Sequence, residues 1–133
     1  GSAPSPRNGP QVSVSVEDLM KPGPLDEMSE GTENATVTIV QYTSLTCEHC
    51  ARFHNNVYPL LKEKFFDTGK VRLIMREFPG DRLALAASMV TRCADKSQYF
   101  PLIKILFNIN TPSFHMCYSF CDLPRSHAFH KQK

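Results

Sequence analysis

An α/β fold built on one strand, helix, strand crossover is the class this sequence predicts, and three observations predict it. Residues 36–43 form a β-branched run holding Val37, Ile39 and Val40. Behind it, Phe53, Val57, Leu60, Leu61 and Phe65 recur at steps of four, three, one and four, the spacing of one helix face. Residues 71–78 then read as a second strand, closed by Pro79 and Gly80. Such crossovers are right-handed and join parallel strands, so the helix starts at the carboxyl end of the first strand.

Residues 1–35 hold five prolines, Pro4, Pro6, Pro10, Pro22 and Pro24, among Gly, Ser and acidic residues. They bury too little apolar surface to offset their ordering entropy and read as a mobile arm, in which residues 12–19 add at most a strand or a helical turn. The partly continuous apolar character of residues 36–43 suits a central strand covered on both faces. Pro59 should kink the first helix, and Asp67-Thr68-Gly69 should end it. Asp81 can cap a second helix reaching about residue 94, with Leu83, Ala86, Ala87 and Val90 inward. A third runs from residue 98 or 101 to 107, Pro101 being tolerable only in its first turn. Residues 108–133 show neither period and form a divergent C-terminal tail, leaving residues 36–107 as the folded unit.

The chain has 133 residues and 41% hydrophobic residues, enough for one compact domain. Fifteen Lys and Arg against 13 Asp and Glu leave a charge of +2, too even to support binding of nucleic acid. The most apolar stretches, residues 83–90 and 102–109, fall short of a membrane span. The chain opens on Gly1-Ser2 without Met or a signal segment, so any export signal is expected to lie outside this sequence. Five cysteines are too few for a disulfide framework, and their odd number leaves at least one unpaired within a monomer.

The sharpest feature is Cys47-Glu48-His49-Cys50, where the first strand hands over to its helix. A helix start presents unpaired amide donors and a partial positive charge, which favour a thiolate. Cys47 is therefore the expected attacker, and Cys50, one turn deeper, resolves the mixed disulfide. Protonated or hydrogen-bonding His49 would stabilise the Cys47 thiolate and make the oxidised pair the stronger oxidant. Glu48 opposes this by repulsion, weakly if exposed.

Residues 37–54 (VTIVQYTSLTCEHCARFH), 67–72 (DTGKVR), 76–79 (REFP), 83–87 (LALAA) and 92–94 (RCA) resemble the DsbA-like thiol:disulfide oxidoreductases of the thioredoxin superfamily, of alphaproteobacterial type. The likeness spans roughly residues 25–107. It implies a thioredoxin-like βαβ unit followed by the start of a helical insertion. It also implies a periplasmic enzyme without a cofactor, which passes a disulfide to unfolded exported proteins and is reoxidised by a quinone-linked membrane oxidase. The sequence departs from the family at Glu48, where Pro is common, and at Gln41, where many members carry a buried acid. An amide there can hydrogen-bond but cannot relay a proton.

The largest departure is the tail. The family needs two more antiparallel strands and a last helix, which residues 108–133 cannot all supply. Thr111-Pro112 matches the family's cis-proline loop over four residues, against the alternative of a truncated or frame-altered tail. An incomplete sheet would leave an open edge and favour a homo-oligomer or domain swap. A catalytically impaired binding or self-associating module is therefore the competing functional reading.

Other readings are plainer. Cys47 and Cys50 with Cys117 and Cys121 could form a zinc site, but a strand-to-helix CxxC suits that poorly. Cys93 reads as a small core residue, and Cys117 and Cys121 could bridge only if brought close. His54, one turn beyond Cys50, reads either as a residue touching the active-site surface or as an ordinary exposed helix histidine, and Phe53 and Tyr58 read as core or rim packing.

Overall fold

A computed structural model describes residues 13–109. Within them a three-stranded sheet of order β1-β3-β2 is formed by β1 (Met28–Glu30), β2 (Val37–Thr43) and β3 (Val71–Glu77). Helices α1 (Val16–Met20), α2 (Glu48–Asn56), α3 (Tyr58–Leu61), α4 (Arg82–Cys93) and α5 (Tyr99–Ile109) complete it, with a π-helical turn over Lys62–Phe66 and a 3₁₀ turn over Lys96–Gln98. β2 and β3 are parallel, with Val37 beside Val71 and Thr43 beside Glu77, as the crossover argument requires. The mixed α/β class holds.

The strand order corrects one expectation. β3, not β2, is central among the described strands, because β1 pairs antiparallel with it, Met28 beside Met75. β1 comes from the segment that the sequence assigns to the mobile arm, and so does α1, capped by Ser15. Only three residues long, β1 carries no period that sequence reasoning could detect. Leu73 and Met75 bury one face of β3 and Ile74 the other, whereas Val37, Ile39 and Tyr42 of β2 are exposed.

The helix after β2 is also rotated from its expected setting. Ala51, His54, Tyr58 and Phe66 are buried, Phe53 and Leu61 half-buried, and Val57, Leu60 and Phe65 exposed. Pro59 in the first turn of α3 interrupts the helix at Val57, and the wider π turn brings Phe66 inward in place of Phe65. Gly69, at φ +74°, ends the turn in the left-handed conformation that glycine adopts freely. Met28, Leu73 and Met75 then meet Ala51, Tyr58, Phe66, Tyr99, Ile103 and Phe107 in one core. α5 packs against both α2 and α4, and Pro101 sits in its first turn.

Cys93 is exposed and disulfide-bonded, not a core thiol, because it closes α4 at the helix end, beyond the inward residues Ala84, Ala87 and Val90. Thr111, Pro112, Cys117 and Cys121 lie outside the described residues. No described helix is long and apolar enough to cross a membrane.

Candidate functional site

Parallel register carries β2 and β3 out of the sheet at the same end. The ladder continues one step past the strands, where Phe78 N–H donates to the Thr43 carbonyl at 2.7 Å. From Thr43 the chain turns through Ser44, Leu45 and Thr46, and Cys47 N–H donates back to the Ser44 carbonyl at 3.1 Å. Leu45 packs against the core and anchors the turn.

Cys47 is itself the N-cap of α2, with φ −79° and ψ 116°, extended as a cap must be. Its carbonyl takes the first helical bond, from Ala51 N–H at 3.0 Å. Its sulfur takes the place usually held by a Ser or Asp oxygen, accepting the Cys50 backbone N–H at 3.3 Å. Both cysteines are free and half-buried, and Cys50 packs against the core. The hydrogen bonds from Cys50, side chain and amide, hold the Cys47 thiol below its ordinary range of about 9.0. Slight burial opposes this, the His49 amide adds to it, and the Glu48 carboxylate opposes it. His49 thus acts on the thiol through its backbone N–H, whereas sequence reasoning looked to its imidazole.

Glu48 is exposed and pairs with Arg52 at 3.3 Å, one turn on. His49 is exposed at the rim of a largely apolar cavity of about 380 Å³, which Ile39, Gln41, Cys50, Phe53 and Leu61 also line. Gln41 and Cys50 thus line one cavity. His54 does not belong to this surface: it is 3% exposed, stacked on Tyr58 with ring centroids 4.3 Å apart. Tyr58 is core, and its hydroxyl donates to Glu30.

Sequence reasoning missed one feature of the site. Thr46 Oγ1 donates to Asp81 Oδ2 at 2.7 Å, across 35 residues of chain. Asp81 is legible as a helix cap, but its second partner depends on the strand register. Among the described residues no group of three or more His, Cys, Asp or Glu is placed to hold a metal, and the zinc reading needs Cys117 and Cys121.

A helix opened by a sulfur-capped CxxC can exchange thiols for disulfides, and the comparisons with known proteins agree in kind. The family model described as thioredoxin matches residues 25–120. A Rickettsia bellii protein assigned as a protein-disulfide oxidoreductase is 36% identical over 77 residues, covering 58% of this chain and 30% of its own. The crystal structure of Wolbachia pipientis alpha-DsbA1 is 38% identical with a TM-score of 0.66, over 82% of this chain and 54% of that one. BdbD of Bacillus subtilis, in its oxidised form, is 27% identical with a TM-score of 0.54, over 62% and 46%. The chain thus spans about a third to a half of these relatives. On the breadth of the family match and the shared fold, it belongs to the thioredoxin family as a DsbA-like protein.

Proposed function

We propose that the chain catalyses dithiol-disulfide exchange through Cys47 and Cys50. The observation that carries this is the Cys47 sulfur held as helix cap by the Cys50 N–H at 3.3 Å, which favours its anion. When the pair is oxidised, a substrate thiolate attacks Cys47, breaks the Cys47–Cys50 bond and leaves Cys50 as the departing thiolate. A second substrate thiolate then attacks the mixed disulfide and releases Cys47. The substrate gains one disulfide, and the pair takes up two electrons. In the reverse sense the Cys47 thiolate attacks a partner's disulfide, and Cys50 displaces the reduced partner. Glu48 and the His49 amide tune this poise in opposite directions.

The names of the relatives support a role in forming protein disulfides, the alpha-DsbA1 and BdbD structures among them. We assign as substrates unfolded exported proteins in the periplasm, with a quinone-linked membrane oxidase restoring the disulfide and no bound cofactor. The test is the pH dependence of alkylation of Cys47, followed by peptide oxidation with the wild type and Cys47→Ser. Alkylation in mild acid faster than that of a free thiol, with oxidation lost in the variant, is the expected result. Alkylation no faster than an ordinary thiol sinks the reading.

One observation favours a second reading, a self-associating module: β2 presents Val37, Ile39 and Tyr42 to solvent. That reading predicts a dimer by light scattering and no oxidase activity.

A further inference from the structure

Asp81 divides its carboxylate between two helix starts. Oδ1 accepts Ala84 N–H at 2.7 Å and so caps α4, while Oδ2 accepts the Thr46 hydroxyl at 2.7 Å. The second bond is not a local accident. Thr43 and Glu77 lie side by side in the parallel ladder, and Phe78 N–H extends it by one bond. Thr46 lies three residues beyond Thr43 and Asp81 four beyond Glu77, so the register brings the two short loops together.

We propose that Thr46 and Asp81 are positioning residues for Cys47, latching the loop before the cysteine so that its sulfur stays opposite the Cys50 N–H. The inference rests on reading Cys47 as the attacking thiolate. Thr46 is joined to Cys47 by one peptide bond, so fixing its side chain limits the rotations that swing the Cys47 sulfur on or off its amide donor. Inside the loop the other restraints are the packing of Leu45 on the core, the Cys47 N–H to Ser44 bond at 3.1 Å and a marginal Ser44 to Thr46 hydroxyl contact at 3.5 Å. Among the described residues, the Asp81 bond is the one tie from this loop's polar side chains to a distant part of the chain. Asp81 works through Thr46 rather than by its charge. The carboxylate that acts on the Cys47 thiol through space is Glu48. Both Thr46 and Asp81 are exposed, so water competes for the bond and the effect is modest.

The experiment measures the rate of iodoacetamide alkylation of Cys47 against pH by peptide mapping, in the wild type, Thr46→Val, Thr46→Ser and Asp81→Asn. Val matches Thr in shape and removes only the hydroxyl, leaving Asp81 to cap α4. Ser restores the donor, and Asn still caps the helix. Thr46→Val should move the alkylation midpoint to higher pH, slowing the reaction about three- to tenfold below it, at an unchanged melting temperature. Thr46→Ser should retain the wild-type profile, and Asp81→Asn should move the midpoint in the same direction as Val or leave it in place. An acidic wild-type midpoint that Thr46→Val leaves unmoved overturns the latch and spares the exchange chemistry. A shift to lower pH in Asp81→Asn shows the carboxylate acting by charge and also overturns it. A wild-type midpoint like that of a free thiol removes the exchange reading and the latch with it.

Discussion

Arg92 grips both carboxylate oxygens of Glu77, Nε to Oε1 at 2.7 Å and Nη2 to Oε2 at 2.9 Å. The pair joins the last turn of α4 to the end of β3, with side chains only 18% and 10% exposed. Tyr99 at the start of α5 donates to Glu77 Oε1 at 2.9 Å, and Arg92 also donates to the Asp26 carbonyl at 2.9 Å. Two helices and the segment before β1 are thus tied to the strand that leads to Asp81.

Burial pushes the Glu77 carboxyl up, yet the hydrogen bonds from Arg92, its own backbone N–H and Tyr99 outweigh it and leave it below the ordinary 4.5. Because the folded value is the lower one, the stabilisation is present above pH 4.5 and is lost as the pH falls through the lowered value. Arg92→Ala strands a nearly buried carboxylate and should cost about 3 kcal/mol in urea unfolding at pH 7. A loss below about 1 kcal/mol would show that the pair is solvated like a surface salt bridge.

His54 is buried between Tyr58 and Phe107, with Nδ1 lacking a hydrogen-bond partner among the described residues. Burial first, then the Lys104 charge, lowers its pKa from 6.5 to about 4. The unfolded chain then binds the proton more tightly than the folded one, so stability declines as pH falls from about 6.5 towards 4, by about 3 kcal/mol in full. Glu30, raised by burial with Lys62 opposing, titrates with the opposite sign and is common to both proteins compared. His54→Gln should flatten the decline between pH 7 and 4.5 in urea unfolding. An equal slope in the variant would place the titration elsewhere.

Gly31 follows β1 with φ +87°, and a Cβ there would meet the Val71 carbonyl oxygen at 2.4 Å. Gly31→Ala should therefore cost about 2 kcal/mol or more, from the left-handed backbone and the clash together. Gly80→Ala, with nothing within 4 Å of the added carbon, should stay within about 0.5 kcal/mol. Thermal melts of the two variants side by side check the contrast, and equal losses would count against it.

Glu48 opposes the Cys47 thiolate from an exposed position, partly engaged by Arg52. Glu48→Gln should lower the alkylation midpoint slightly, raising the rate in mild acid about twofold, and the gain should shrink in high salt. A slower reaction in the variant would mean that Glu48 supports the thiolate through the helix rather than opposing it.

Much of the site was legible from sequence because capping and periodicity are settled within a few residues. The CxxC at a strand-to-helix junction, the Asp81 cap and the break at Pro59 follow from neighbours along the chain, and the parallel sense of β2 and β3 from the handedness of the crossover between them. What only the tertiary structure decided is which surfaces meet. The three-residue β1 takes an edge of the sheet, β3 becomes central, and a π turn resets the inward face of the helix. His54 goes into the core, and the Asp81 carboxylate reaches Thr46. Each of these depends on contacts between residues far apart in the chain, where register and packing choose among faces that local pattern leaves equivalent.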